Sequence, residues 1–118
     1  MSYKKGDIVI VKFPFIPKEG AEKQKGRPAL VISDDKVKKR YNDVILAAIT
    51  SHMPTTIMEP EIILESSELT GLLKRSLLRL DFVMTIPEEF ISRKIGALAE
   101  DLMSEVEHKL KIVFGIKN

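Results

Sequence analysis

Along the chain, short apolar segments rich in β-branched residues alternate with polar connections, and only the last stretch changes to a helical period. Asp7-Ile8-Val9-Ile10-Val11-Lys12-Phe13 predicts a first strand over 7–13, stopped by Pro14 and Pro17. Residues 14–26 hold two prolines, two glycines and the cations Lys18, Lys23 and Lys25, a polar loop longer than a usual hairpin connection. The apolar run 28–33 predicts a second strand. Pro28 stands at its mouth, where its missing N–H costs no ladder bond, and Arg27 on its rim. The polar connection 34–42 has room for one helical turn capped by Asp34. Residues 43–50, apolar at alternating and intervening positions alike, predict a third strand buried on both faces that ends at Thr50-Ser51.

A short fourth strand is expected over 61–65, then a connection over 66–75 that contains Gly71 and has room for a short helical turn. Residues 77–86 show a period of two. Leu78, Leu80, Phe82, Met84 and Ile86 are expected on one, core-facing side, with Arg79, Asp81 and Thr85 on the other. Pro87-Glu88-Glu89-Phe90 reads as a helical turn and 92–99 as a last strand. From Glu100 to Phe114 the apolar positions Leu102 or Met103, Val106, Leu110, Val113 and Phe114 recur at helical spacing, with Gly115 as a C-cap. Met84 and Met103 fall on these apolar faces and read as core filler. The sum is an α+β fold in one domain over residues 1–118: a small antiparallel β-barrel with a C-terminal α-helix.

Composition narrows the chemistry. No apolar run approaches the roughly 20 residues that span a bilayer, and the basic N-terminus has no small-residue cleavage site after it, so a cytoplasmic protein is expected. With no cysteine and only His52 and His108, disulfides, thiol catalysis and a Cys/His metal site are not expected, nor is any cofactor. Charge is uneven: residues 1–52 carry 11 Lys/Arg against 6 Asp/Glu, and residues 53–118 carry 8 against 11. The basic half is the one that contains Arg27, which is compatible with a polyanionic partner.

Three ordered motifs point further: Gly6-Asp7-Ile8-Val9-x-Val11, Gly26-Arg27-Pro28-Ala29-Leu30-Val31-Ile32-Ser33, and Ala47-Ala48-Ile49-Thr50-Ser51. Together they resemble the MazF/PemK toxins of toxin–antitoxin pairs. The resemblance implies an SH3-like barrel, a homodimer, metal-independent cleavage of single-stranded RNA, and silencing by a cognate acidic antitoxin. By position it makes Arg27 and Thr50 catalytic, and Arg79-x-Asp81 matches a pair that some members use as acid and base. RNA is cut without metal when its own 2′-hydroxyl attacks the adjacent phosphate. That step needs a base, a donor to the leaving 5′-oxygen, and charge stabilisation at phosphorus.

Arg27 suits the last role, because a guanidinium gives phosphate two parallel hydrogen bonds and keeps its proton. Thr50 and Ser51 would hold a non-bridging oxygen, Asp81 is the candidate base, and Arg79 keeps it ionised and donates to the leaving group. His52 reads two ways, as an alternative base or as a loop histidine. Lys25, with Lys18 and Lys23, would hold phosphates. The long loop lacks the histidine that some members place there. A second reading keeps the same barrel as a non-catalytic module that binds RNA or antitoxin, or that inhibits a topoisomerase by protein contact.

Overall fold

In the computed structural model, which describes residues 3–12 and 26–117, six strands precede one helix. The strands are β1 (Asp7–Lys12), β2 (Gly26–Val31), β3 (Asp43–Thr50), β4 (Glu61–Leu64), β5 (Ser76–Pro87) and β6 (Ile91–Ala97), followed by α1 (Glu100–Val113). A single 3-10 turn, Glu88–Phe90, starts at Pro87, whose fixed φ suits a helical entry. The strands form one sheet in the order β4-β5-β3-β2-β1-β6, and every neighbouring pair is antiparallel.

The architecture is the expected small antiparallel barrel-like sheet with a C-terminal helix, and its ladder leaves β4 and β6 as the two edges. A loop brings those edges together. The connection after β4 reaches across to β6, where the Ala97 N–H donates to the Leu69 carbonyl at 2.9 Å. This connection contains no helix. Thr70, buried, donates its hydroxyl to the Glu65 carbonyl, and the Gly71 N–H donates to the Ser67 carbonyl. The packing against β6 is backbone to backbone: a Cβ on Gly71 would stand 2.0 Å from the Ile95 carbonyl oxygen, and one on Gly96 2.2 Å from that of Thr70. The connection after β2 likewise forms no helical turn. Asp34 folds it as an Asx turn, accepting the Lys36 N–H at 2.9 Å.

Curling gives the sheet two apolar clusters, one on each face. On the first face Ile8, Leu30, Ala47, Ile49, Leu78 and Leu80 pack under α1, which contributes Val106, Leu102, Met103, Leu110 and Val113. On the second, Val9, Val11, Ala29, Val31, Leu46 and Ile86 pack with Met84 and Phe90. Burial on both faces explains why β1 and β3 read as nearly continuous hydrophobic runs. At the helix end, Gly115 takes a left-handed φ of +69°, and the Ile116 N–H bonds back to the Lys111 carbonyl at 2.8 Å, as the glycine C-cap predicts.

The strand β5 departs from its simple alternation. Its register against β3 runs Ala47↔Val83 and then Ala48↔Arg79, so three residues of β5, Leu80, Asp81 and Phe82, are set against no residue of β3. An odd insertion reverses the side to which later residues point. Leu78 and Leu80 therefore join the cluster under the helix, whereas Met84 and Ile86 join the opposite one. Phe82, expected in the core, is 38% exposed at the bulge.

The close approach of the β4–β5 connection to β6 gives a direct check. Gly96→Ala should lower stability by about 2 kcal/mol or more, since backbone atoms rather than a flexible side chain meet the new methyl group. Chemical denaturation measures this. An unchanged midpoint would contradict the edge-to-edge closure.

Candidate active site

Proline shapes the local geometry at the start of β2. The strand begins two residues before Pro28, with Lys12↔Gly26 and Val11↔Arg27 paired across to β1. On its other side, the ladder to β3 runs Val31↔Leu46, Leu30↔Ala47 and Ala29↔Ala48 and ends there. The next residue, Pro28, has no N–H to extend it. Continuing the same register by one step of two residues brings Arg27 level with Thr50. On the far side of β3, Thr50 pairs with Leu77 and Ala48 with Arg79.

Directly paired residues of antiparallel strands share a face, as do residues two apart in one strand. Arg27, Thr50 and Arg79 therefore lie on one side of the sheet, with Ala29 and Ala48 between them. The two small side chains form the floor between them, Ala48 half-buried and Ala29 fully buried. Two residues along a strand span roughly 7 Å and adjacent strands lie about 5 Å apart, so the three polar side chains fall within the reach of one phosphodiester and its neighbour. Arg27 is exposed, and Thr50 and Arg79 are half-buried.

Each side chain is held differently. The Thr50 hydroxyl oxygen accepts the His52 main-chain N–H at 3.1 Å, which leaves its own hydrogen free to donate. His52 is tied to the site through that main chain, while its residue and Ser51 are exposed. Arg79 donates to Asp81 through two bonds, Nε to Oδ1 at 3.2 Å and a terminal nitrogen to Oδ2 at 3.1 Å. This fork pulls the Asp81 carboxyl below its usual value, chiefly by the hydrogen bond from Arg79, and raises the Arg79 guanidinium, chiefly by the hydrogen bond to Asp81. The guanidinium carbon also lies 5.3 Å from the centre of the Phe82 ring.

Of the residues singled out in the sequence, the sheet register brings together Arg27, Thr50 and Arg79, with Asp81 beside Arg79 and Ser51 and His52 on the outgoing turn. Lys25, Lys18 and Lys23 lie outside the described residues. Lys12 reaches the same end of the sheet opposite Gly26, and Lys74 and Arg75 directly precede β5 there, Arg75 in an ion pair with Glu65. Two features escaped the strand patterns. Phe82 was hidden by the assumption of unbroken alternation, and the alanine floor gained meaning only once the ladder paired Ala29 with Ala48. The equal offsets of Arg27 from Ala29 and of Thr50 from Ala48 were a legible hint.

Chemically, the face offers an exposed guanidinium, a free hydroxyl donor and a forked cation–carboxylate pair. Groups of these kinds, at this spacing, have the chemistry to bind and polarise a phosphodiester.

Known proteins of similar sequence and shape agree. Residues 4–114 match the family of PemK-like, MazF-like toxins of type II toxin–antitoxin systems. A probable endoribonuclease MazF from Mycolicibacterium smegmatis is 31% identical over 97 residues, 82% of this chain and 87% of that protein. Among solved structures, the Mycobacterium tuberculosis toxin MazF-mt6 superposes with a TM-score of 0.74 at 21% identity, covering 95% of this chain and 99% of that one. A MazE–MazF structure from Deinococcus radiodurans gives a TM-score of 0.75 at 22% identity, with 99% of each chain covered. A mycobacterial endoribonuclease solved with its cognate antitoxin gives 0.76 at 14% identity, again over 99% of each chain. The match over nearly the whole chain, with the arginine and threonine of its motifs set on one face of the sheet, makes this protein a member of the PemK-like, MazF-like toxin family.

Proposed function

We propose that this toxin is an endoribonuclease that cuts single-stranded RNA by attack of the substrate's own 2′-hydroxyl on the adjacent phosphate. The observation that carries this reading is the placement of Arg27, Thr50 and Arg79 on one side of the sheet, Arg27 exposed and Thr50 and Arg79 half-buried. The likeness to a probable endoribonuclease supports it. In this reading the 2′-oxygen bonds to phosphorus, the P–O5′ bond breaks, and the products are a 2′,3′-cyclic phosphate and a free 5′-hydroxyl.

Arg27 clamps the non-bridging oxygens and neutralises the charge added in the transition state, and the Thr50 hydroxyl donates to one of them. Asp81 accepts the 2′-hydroxyl proton. While forked to Arg79 its carboxylate is a weak base, so a phosphate that draws hydrogen bonds from Arg79 makes Asp81 more basic when substrate is in place. Arg79, with its raised proton affinity, acts at the leaving 5′-oxygen as a hydrogen-bond donor while water returns the proton. These groups supply charge and proton handling themselves, so the reading requires no metal cofactor. Ser51, His52 and Lys25 contact the flanking strand. The partners are single-stranded RNA, a second copy of the chain as a homodimer, and a cognate acidic antitoxin laid over the basic face. Among the described residues no helix is long and apolar enough to cross a membrane. We place the activity in the cytoplasm.

With a mixed-sequence RNA in chelator, wild-type protein should cleave and Arg27→Ala should lose at least about 100-fold in kcat. Thr50→Ala should lose about tenfold, the worth of one hydrogen bond to a charged oxygen. A substrate with 2′-deoxyribose at the scissile position should remain intact. Cleavage by Arg27→Ala at the wild-type rate contradicts the assignment.

The acid limb of kcat/KM identifies the base. Asp81, whose carboxyl is held down by Arg79, stays ionised until the pH falls below the ordinary aspartate range near about 3.9, so the limb should lie there. A limb well above the carboxylate range would take this role away from Asp81. Through linkage, the pair's stabilisation is present at neutral pH and lost only as pH falls through the depressed Asp81 value. Because both partners are substantially exposed, that loss should be under about 1 kcal/mol.

A further inference from the structure

We infer that Phe82 is a stacking platform for a nucleobase beside the phosphate held by Arg27, a specificity-determining contact of the same site that rests on the RNA reading above. A single exposed phenylalanine needs no explanation by itself. What distinguishes Phe82 is how it is held. The bulge in β5 takes it out of the core, although the alternation of Leu78, Leu80, Met84 and Ile86 around it would bury a regular successor. It is then fixed by Arg79, whose guanidinium lies 5.3 Å from the ring centre and is itself oriented by two hydrogen bonds to Asp81. The planar cation lies against the ring, and the residue as a whole remains 38% exposed.

The location suits a single strand of RNA. Arg79 pairs with Ala48, and Ala48 pairs with Ala29, so the Arg79–Phe82 stack stands two strands across and one two-residue step along from Arg27, roughly 12 Å from that position. A strand whose phosphate rests on Arg27 and Thr50 has a neighbouring base within reach of the ring. Unstacked bases of single-stranded RNA are commonly received on aromatic rings and arginine planes, and here both are adjoined and preset, so little side-chain freedom is lost on binding. Stacking alone accepts any base, with purines favoured by their larger surface. The preference conferred is therefore for a purine next to the cut over a pyrimidine.

The test uses the full chain and a single-stranded RNA oligonucleotide made uncleavable by one 2′-deoxyribose, with the fluorescent purine 2-aminopurine placed in turn on either side of that position. Wild-type protein should quench 2-aminopurine at one neighbouring position. Phe82→Leu should abolish the quench and raise KM on cleavable RNA about tenfold with kcat within about twofold, and Phe82→Trp should restore both. Quenching and KM unchanged in Phe82→Leu, with wild type cleaving normally, would overturn the stacking role and leave the nuclease reading standing. Wild type that quenches without cleaving supports the platform and defeats the nuclease reading, whereas wild type that neither binds nor cleaves defeats both. Should Phe82→Leu fail to fold, the wild-type titration decides, because quenching at neither position overturns the proposal.

Discussion

The antiparallel pairing of β3 with β2 on one side and β5 on the other is the constraint on which the rest of this structure depends. Ala48 pairs with Ala29 and with Arg79 at once, and one two-residue step away Thr50 comes level with Arg27. No loop conformation is needed to bring these side chains together. They come from three different strands, 29 residues apart between Arg79 and Thr50 and 23 between Thr50 and Arg27, and the ladder alone converts that separation into proximity. Pairing register is strongly specified wherever a face is buried, and here a slip of one residue would exchange the β3 side chains between the two clusters and break the packing of both. The two hydrophobic clusters thus stabilise the fold and the site geometry together.

Where the ladder stops or breaks, chemistry appears. Pro28 ends the β2–β3 rungs beside Arg27, and the three-residue bulge in β5 exposes Asp81 and Phe82 next to Arg79. Both interruptions are compatible with stability because the first leaves the β1 pairing of Arg27 intact and the second keeps Leu80 buried under α1. The same economy holds at the other edge of the sheet. There the glycines at 71 and 96 let backbone pack on backbone, and the loop between them spans the open sheet as a closed barrel's missing rungs would.

Much of this was legible in the chain. The strand at 43–50 and the helix from Glu100 with its glycine cap follow from apolar runs and helical spacing, and motif order singles out Arg27 and Thr50, which the ladder brings level. Strand ends were less legible: β2 starts at Gly26 because its pairing with β1 does not need the N–H that Pro28 lacks. The face of Phe82 could not be read at all. A period of two looks continuous in sequence even when three inserted residues reverse it, and only the partner strand reveals the insertion. The polar connections at 34–42 and 66–75 were compatible with helical turns until side-chain oxygens of Asp34, Ser67 and Thr70 supplied competing hydrogen bonds. The Asp81 carboxylate illustrates a further limit, since its proximity to Arg79 was visible as spacing whereas the fork that weakens it as a base is a matter of geometry.

The central claim is that the β2–β3 register makes Arg27 and Thr50 act on one phosphate. A double-mutant cycle on kcat/KM for RNA cleavage, with Arg27→Ala, Thr50→Ala and the double variant, tests it most directly. If both side chains hold the same transition-state charge, the double variant should be hardly slower than Arg27→Ala alone. Losses that multiply fully, with no coupling between the two positions, would show that they serve separate steps or separate sites and would contradict the account.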